Sequence, residues 1–334
     1  MLPIGPTKAG DAVSQMTVRH FGLLGVRAFC AALPFAVGVL IPVDTYAYTA
    51  AGDRNFPALL ILPQVAPSDA VWGSFATQPM NAFGTGDPTR QNQFTGDYSK
   101  TITERLGIQF QGGLTQLDRL QTSSVTGAQN FEVLLQYEAI LDPPHEFLLS
   151  VEADQNLGAT GNQHLSTNFQ QSATQLGVTF AKGLGDLPIG FSRPLAITGF
   201  TGFQIAEGAP PQSNQGAGQR SNKVNAGFSV QYSIPYLVSK VANVDLPQFL
   251  RGMTPMTEVV FATPVGPSYR NGRTLLVAPG ISYSEGRGWE LGIEAMIPTN
   301  KATGRGVGVI AQLVLQLDYL LPDSIVGRPI FPLQ

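Results

Sequence analysis

Apolar and polar residues take turns along most of this chain. Phe131, Val133, Leu135, Tyr137 and Ala139 are apolar, with Glu132, Gln136 and Glu138 between them. After Asp142-Pro143-Pro144-His145 the alternation resumes, with Phe147, Leu149, Val151 and Ala153 set against Ser150, Glu152 and Asp154. Successive side chains of a strand point to opposite faces, so a period of two predicts strands, each with one oily face. The pattern recurs at Leu106–Phe110, Leu176–Phe180, Leu195–Ile205, Val224–Ile234, Thr257–Thr263, Leu275–Tyr283, Trp289–Ile297 and Val307–Leu317. That predicts about ten strands, with one or two more upstream.

The lengths and the connections say which solvent wets the oily face. Several stretches sustain alternation over roughly 9–11 residues, the span of a tilted strand that crosses a bilayer. An ordinary strand has only about 5–6. Compact connections (DPPHE, GLGDLP, YSEGRGW) alternate with long, polar, glycine-rich ones (NLGATGNQHLSTNFQQ, EGAPPQSNQGAGQRSN). Outer-membrane barrels have this asymmetry, with short periplasmic turns and long external loops. PYLVSKVANVDLPQFLRGMTP is large for the short side and is expected to fold as a helical flap. The expected fold is all-β: a closed antiparallel transmembrane β-barrel of about 10–12 strands, both ends periplasmic. Closure removes sheet edges, and lipid then meets the apolar face. Phe147, Tyr232, Tyr283 and Trp289 lie beside the compact turns, where an interfacial aromatic belt belongs. The alternative is a secreted β-sandwich binding module, whose apolar faces would pack on each other.

Composition favours the barrel. Only 13% of the residues are charged and 43% are hydrophobic, against roughly 25% charged in a soluble domain. Part of the greasiness is a leader. Arg19, His20 and Arg27 precede an apolar stretch from Ala28 to Val43, and Thr45 and Ala47 supply the small residues that a signal peptidase reads. Residues 1–47 are therefore expected to be leader and signal peptide, with translation starting at Met1 or Met16. Cys30 lies within it, so the processed chain has no thiol for disulfides or catalysis. Residues 48–97 are irregular and proline-interrupted, with an apolar run Ala58–Leu62 between Pro57 and Pro63. They are expected to form a periplasmic segment or plug, with a strand near Val71–Thr77. The barrel is expected over 98–320 and a tail over 321–334.

The polar faces carry more acid than base. Glu132, Glu138, Glu152, Asp154, Glu258, Glu290 and Glu294 are expected to line the lumen, with Arg105 the clearest strand-borne cation. They would favour a cation or polar-solute passage, or would accept hydrogen bonds inside a filled interior. The slight acidic balance excludes a nucleic-acid footprint. His164-Leu165-Ser166 looks a little like the His-x-Ser of the outer-membrane phospholipase A family, but it sits in a polar loop and lacks the following pattern. The reading is therefore not an enzyme, with no cofactor and too few metal ligands for a zinc site.

In layout the chain resembles the porin-like barrels of Gram-negative outer membranes, those grouped with MetA-type transporters. The likeness rests on the leader, an FP-rich lead-in, the strands and the tail DSIVGRPIFPLQ. It implies an outer-membrane address, the lipid bilayer as surroundings and uptake or export of a small solute. It assigns no residue a role. A non-conducting docking barrel, with other envelope proteins as partners, stays open beside it.

Overall fold

The alternating stretches do become strands, and they close on themselves. The computed structural model describes residues 50–80, 89–119, 123–162, 165, 171–207, 222–242, 244–265 and 272–332. Its strands are β1 (Ala70–Met80), β2 (Thr89–Thr101), β3 (Leu106–Arg119), β4 (Phe131–Asp142), β5 (Phe147–Leu157) and β6 (Ala173–Gly183). They continue as β7 (Leu195–Ala206), β8 (Lys223–Tyr232), β9 (Met253–Pro264), β10 (Thr274–Ser284), β11 (Trp289–Pro298) and β12 (Gly308–Gln316). Every neighbouring pair is antiparallel, and β12 returns to β1 through Leu313↔Gly73 and Leu315↔Val71. The ring has 12 strands. One closed sheet replaces the two stacked layers of the sandwich alternative. A short ribbon, Val125–Ala128, extends β3 beside β4.

The barrel starts earlier than the alternation suggested. β1 and most of β2 lie within 48–97, so that segment is not outside the sheet, although the strand expected near Val71–Thr77 is there as β1. Both strands turn few large apolar side chains outward, chiefly Val71 and Phe75 on β1 and Phe94 on β2. Gly73 and Thr77 on β1 and Arg90, Asn92 and Gly96 on β2 fill other outward positions and mute the pattern. A second departure lies in β4. The register shifts between Glu138 and Ile140, so Ile140 continues the outward row. A bulge inserts one residue and resets the pleat.

Compact turns gather at one rim, with the start of β1 and the end of β12. Tyr283 and Trp289 pack there with ring centroids 5.7 Å apart. The expected flap is present as helical turns at Ile234–Tyr236, Leu237–Val241 and Gln248–Arg251. After β12 the chain makes one helical turn, Leu317–Leu320, and the tail runs back to the β2–β3 turn. There Phe331 N–H donates to Ile102 O at 2.8 Å. The expected leader, residues 1–47, lies outside the described residues.

Outward side chains such as Phe75, Phe94, Leu135, Leu176, Phe228, Leu291 and Ile293 stand exposed around the ring. Among the described residues no helix is long and apolar enough to cross a membrane. The strands do the crossing, and hydrocarbon covers this belt.

Candidate functional site: a filled lumen

Residues 50–69 supply what fills the ring. Ala50–Ala51 and Arg54–Asn55 form a small ribbon, and the chain then runs through the interior from Phe56 to Asp69. Phe56, Leu59, Leu60, Leu62 and Val65 are buried against Leu148, Ala196, Phe200, Met256, Met296 and Ile310 on the inner wall. The lumen is thus apolar at this level, contrary to the expectation of a wholly polar interior. Each such side chain contributes roughly 1.5–3 kcal/mol when fully withdrawn from water.

This inner segment pairs with no barrel strand, so its buried backbone groups need side-chain partners. On one wall Glu258 accepts from three successive amides, Leu60 N (2.7 Å), Ile61 N (3.2 Å) and Leu62 N (2.8 Å). Glu290 accepts from Ala58 N at 2.9 Å and from the Ser282 hydroxyl. On the opposite wall donors meet carbonyls. Gln136 Nε2 donates to Gln64 O at 2.8 Å, while Ser150 Oγ (2.8 Å) and Thr179 Oγ1 (3.2 Å) donate to Val65 O. Gln64 closes its own loop, accepting from Leu59 N and donating to Leu59 O.

Ion pairs fasten both ends of the segment. Arg54 Nε lies 3.1 Å from Glu146 Oε2, and its guanidinium sits 3.8 Å over the Tyr236 ring. Burial lowers the Arg54 pKa, and burial with the neighbouring Glu146 raises that of Tyr236. At the other end Lys100 Nζ meets Asp69 Oδ1 at 2.6 Å, and Thr101 gives Asp69 both its N–H and its hydroxyl.

Among the described residues two cavities lie on opposite sides of this layer. The one toward the long loops has a volume of about 250 Å³, with Leu59–Gln64 as its floor. Asp97, Glu132, Glu152, Asp154 and several glutamines form its walls. The one toward the compact turns is about 170 Å³ and lies among Asn55, Phe56, Tyr236, Ser282 and Glu290.

The acids read from the sequence therefore part company. Glu258 and Glu290 clamp the inner chain. Glu294 lies against Glu258, and no donor reaches its oxygens. Glu132, Glu152 and Asp154 line the larger cavity, where Glu132 accepts from Asn156 Nδ2. Glu138 stands on β4 with Arg105 as a neighbouring charge. Arg105 itself is a correction: it is exposed in the β2–β3 turn. That turn is closed by Ile102 N to Leu106 O (2.7 Å) and by Leu106 N to Thr103 Oγ1 (3.1 Å), which ends the strand before Arg105. Asp97, held by Gln109 and Gln111 at 3.1 and 2.7 Å, belongs to the cavity and was hidden in the weakly patterned β2. Of the serine–histidine pair, His164 and Ser166 lie outside the described residues. His145 pairs with Asp142 at 2.8 Å in an exposed turn.

A closed ring with an oily belt, a compact rim and a looped rim defines a porin-like transmembrane β-barrel. In shape the chain is similar to the COG4313 outer membrane channel from Pseudomonas putida F1. The TM-score is 0.54 at 11% identity, over 78% of this chain and 99% of that one. The NanC porin follows at 0.46 and 10% identity, over 74% of this chain and 98% of its own. The KdgM porin gives 0.43 at 9% identity, over 74% and 98%. No family model and no curated protein sequence matches. At such identities the likeness concerns the fold.

Proposed function

We propose that this protein is an outer-membrane channel for small solutes whose passage is held shut by residues 50–69. The observation that carries the reading is the manner of closure. The inner segment is held by side chains and takes no part in the ladder that closes the ring, so it can leave without opening the sheet. Cavities of about 250 and 170 Å³ flank it on either side. Once it moves, they join into one path past Asp97, Glu152 and Glu290.

The filled interior also supports a second reading, a non-conducting barrel that docks another envelope protein at its compact rim. Planar-bilayer recording separates the two. The full chain is expected to be closed for most of the record, and a chain lacking residues 53–66 to give steady open steps. A deletion variant that folds, shifts on heating in a detergent gel and stays silent would reject the channel. The deletion stops short of Ala70 because β1 and β2 belong to the ring.

A further inference from the structure

The chain that follows β12 lies against the outer wall of the ring, at the foot of the seam where the sheet closes. Along β1 and β2 the outward positions descend as Phe75↔Phe94, Gly73↔Gly96 and Val71↔Tyr98. One step lower in the same row come Asp69 and Lys100, joined at 2.6 Å. Alternation turns both side chains outward, yet they are only 5% and 6% exposed. Residues 317–331 are what cover them. Leu317 N–H donates to Asp69 O at 2.8 Å, Lys100 Nζ donates to Arg328 O at 2.7 Å, and Ile330 N–H donates to Thr101 O at 3.2 Å. This stretch is therefore a strap that crosses the foot of β1 from β12 to β2.

The free side of the strap is apolar. Ile325 and Phe331 are 62% and 66% exposed among the described residues, and Leu320, Leu321 and Ile330 are exposed as well. Apolar surface of this kind marks an interaction site. Its place names the partner. It continues the oily belt of Val71, Phe75 and Phe94 below the last outward row, where the wall itself carries a charged pair. Left bare, Asp69 and Lys100 would end the belt in charge. Hidden under the strap, they give way to side chains that hydrocarbon accepts. We propose that residues 317–331 are a lipid-facing strap, pinned by Lys100 and seated in the bilayer leaflet at the compact rim, with Ile325 and Phe331 among the acyl chains. Apolar side chains of interfacial segments reach roughly 5–10 Å into that boundary. The strap has this role whether or not the barrel conducts.

Nitroxide labels on the full chain test it, in vesicles of phosphatidylethanolamine and phosphatidylglycerol. One label is carried at Ile325→Cys or Phe331→Cys in a Cys30→Ala chain. Leu291→Cys, outward on β11, is the lipid reference, and Arg287→Cys, exposed in a compact turn, is the water reference. Collisions with oxygen, which concentrates in hydrocarbon, are compared with collisions with a nickel chelate present on both sides of the membrane. The oxygen-to-chelate ratio at both strap positions is expected within twofold of Leu291→Cys and at least fivefold above Arg287→Cys. A ratio like that of Arg287→Cys overturns the proposal, because the patch then faces water. So does shielding from both reagents, which would make a second copy or another part of this chain the occupant. Adding Lys100→Met should free the strap and bring the ratio down toward Arg287→Cys. An unchanged ratio there overturns the pinning. If Lys100→Met does not fold to a heat-modifiable barrel, the ratios in the chain that keeps Lys100 decide alone.

Discussion

Two walls of one lumen hold carboxylates in opposite circumstances. Glu258 on β9 and Glu290 on β11 are buried and met by backbone N–H groups of the inner segment. Glu152 on β5 is also buried and met by nothing. The cause lies in how the inner chain turns its backbone. From Ala58 to Leu62 it shows amides to β9 and β11. At Gln64 and Val65 it shows carbonyls to β4, β5 and β6, and these are answered by Gln136, Ser150 and Thr179. Glu258 and Glu290, on the amide side, are clamps. Glu152, on the carbonyl side, finds no donor and faces the cavity.

The largest effect should come from breaking the clamp. Glu258→Ala leaves three amides without this acceptor, and the two buried ones, Leu60 N and Leu62 N, cost roughly 1–3 kcal/mol each. The ring ladder is untouched, so the inner segment loosens and the barrel stays folded. A Leu62→Cys reporter in a Cys30→Ala chain, labelled by a maleimide, should react at least tenfold faster with Glu258→Ala than without it. Glu290→Ala removes the partner of one amide and one hydroxyl, and should fall between. Labelling rates that ignore Glu258 would break the comparison at its strong side.

The opposite wall should give the opposite sign. Glu152→Gln removes a buried charge that makes no hydrogen bond, so its denaturant midpoint in detergent should hold or rise. Glu258→Gln keeps one carbonyl oxygen but turns an amide donor toward N–H groups, and its midpoint should fall. Equal losses in both variants would mean that the two carboxylates play one structural part.

What was legible beforehand follows from what alternation can carry. Strands whose outward row is large and apolar, such as β4, β5, β8 and β11, stood out, as did the two kinds of connection. β1 and β2 did not, because Gly73, Thr77, Arg90, Asn92 and Gly96 interrupt their outward rows. The filled lumen left one trace, in runs where alternation fails. Leu148 sits between Phe147 and Leu149, Met296 between Ala295 and Ile297, and Ile310 between Val309 and Ala311. In each the middle residue points inward and touches the inner segment's apolar cluster. Period two shows that a strand has an oily face, and a doubled oily stretch shows that something oily lies inside as well. The division of the acids had no such trace. It depends on the direction of backbone amides in a segment without regular structure.

Glycine seats on the inner wall offer the finest test, because they act on the inner segment without touching any charge. The nearest atoms to a Cβ on Gly292 of β11 would be side-chain carbons of Leu60, which can rotate away. A Cβ on Gly227 of β8 would meet Leu62 Cδ2 and also the carbonyl oxygen of Val259, which cannot move without bending β9. Overpacking of the second kind costs roughly 1–3 kcal/mol, and relief by a rotamer brings the first below that. Gly292→Ala should therefore leave the denaturant midpoint nearly unchanged and raise Leu62→Cys labelling slightly or not at all. Gly227→Ala should lower the midpoint and speed labelling, though less than Glu258→Ala does. The reverse order would mean that Leu60 is held more tightly than Leu62, and that the grip on the inner segment comes from apolar contacts on β11 more than from the carboxylate on β9.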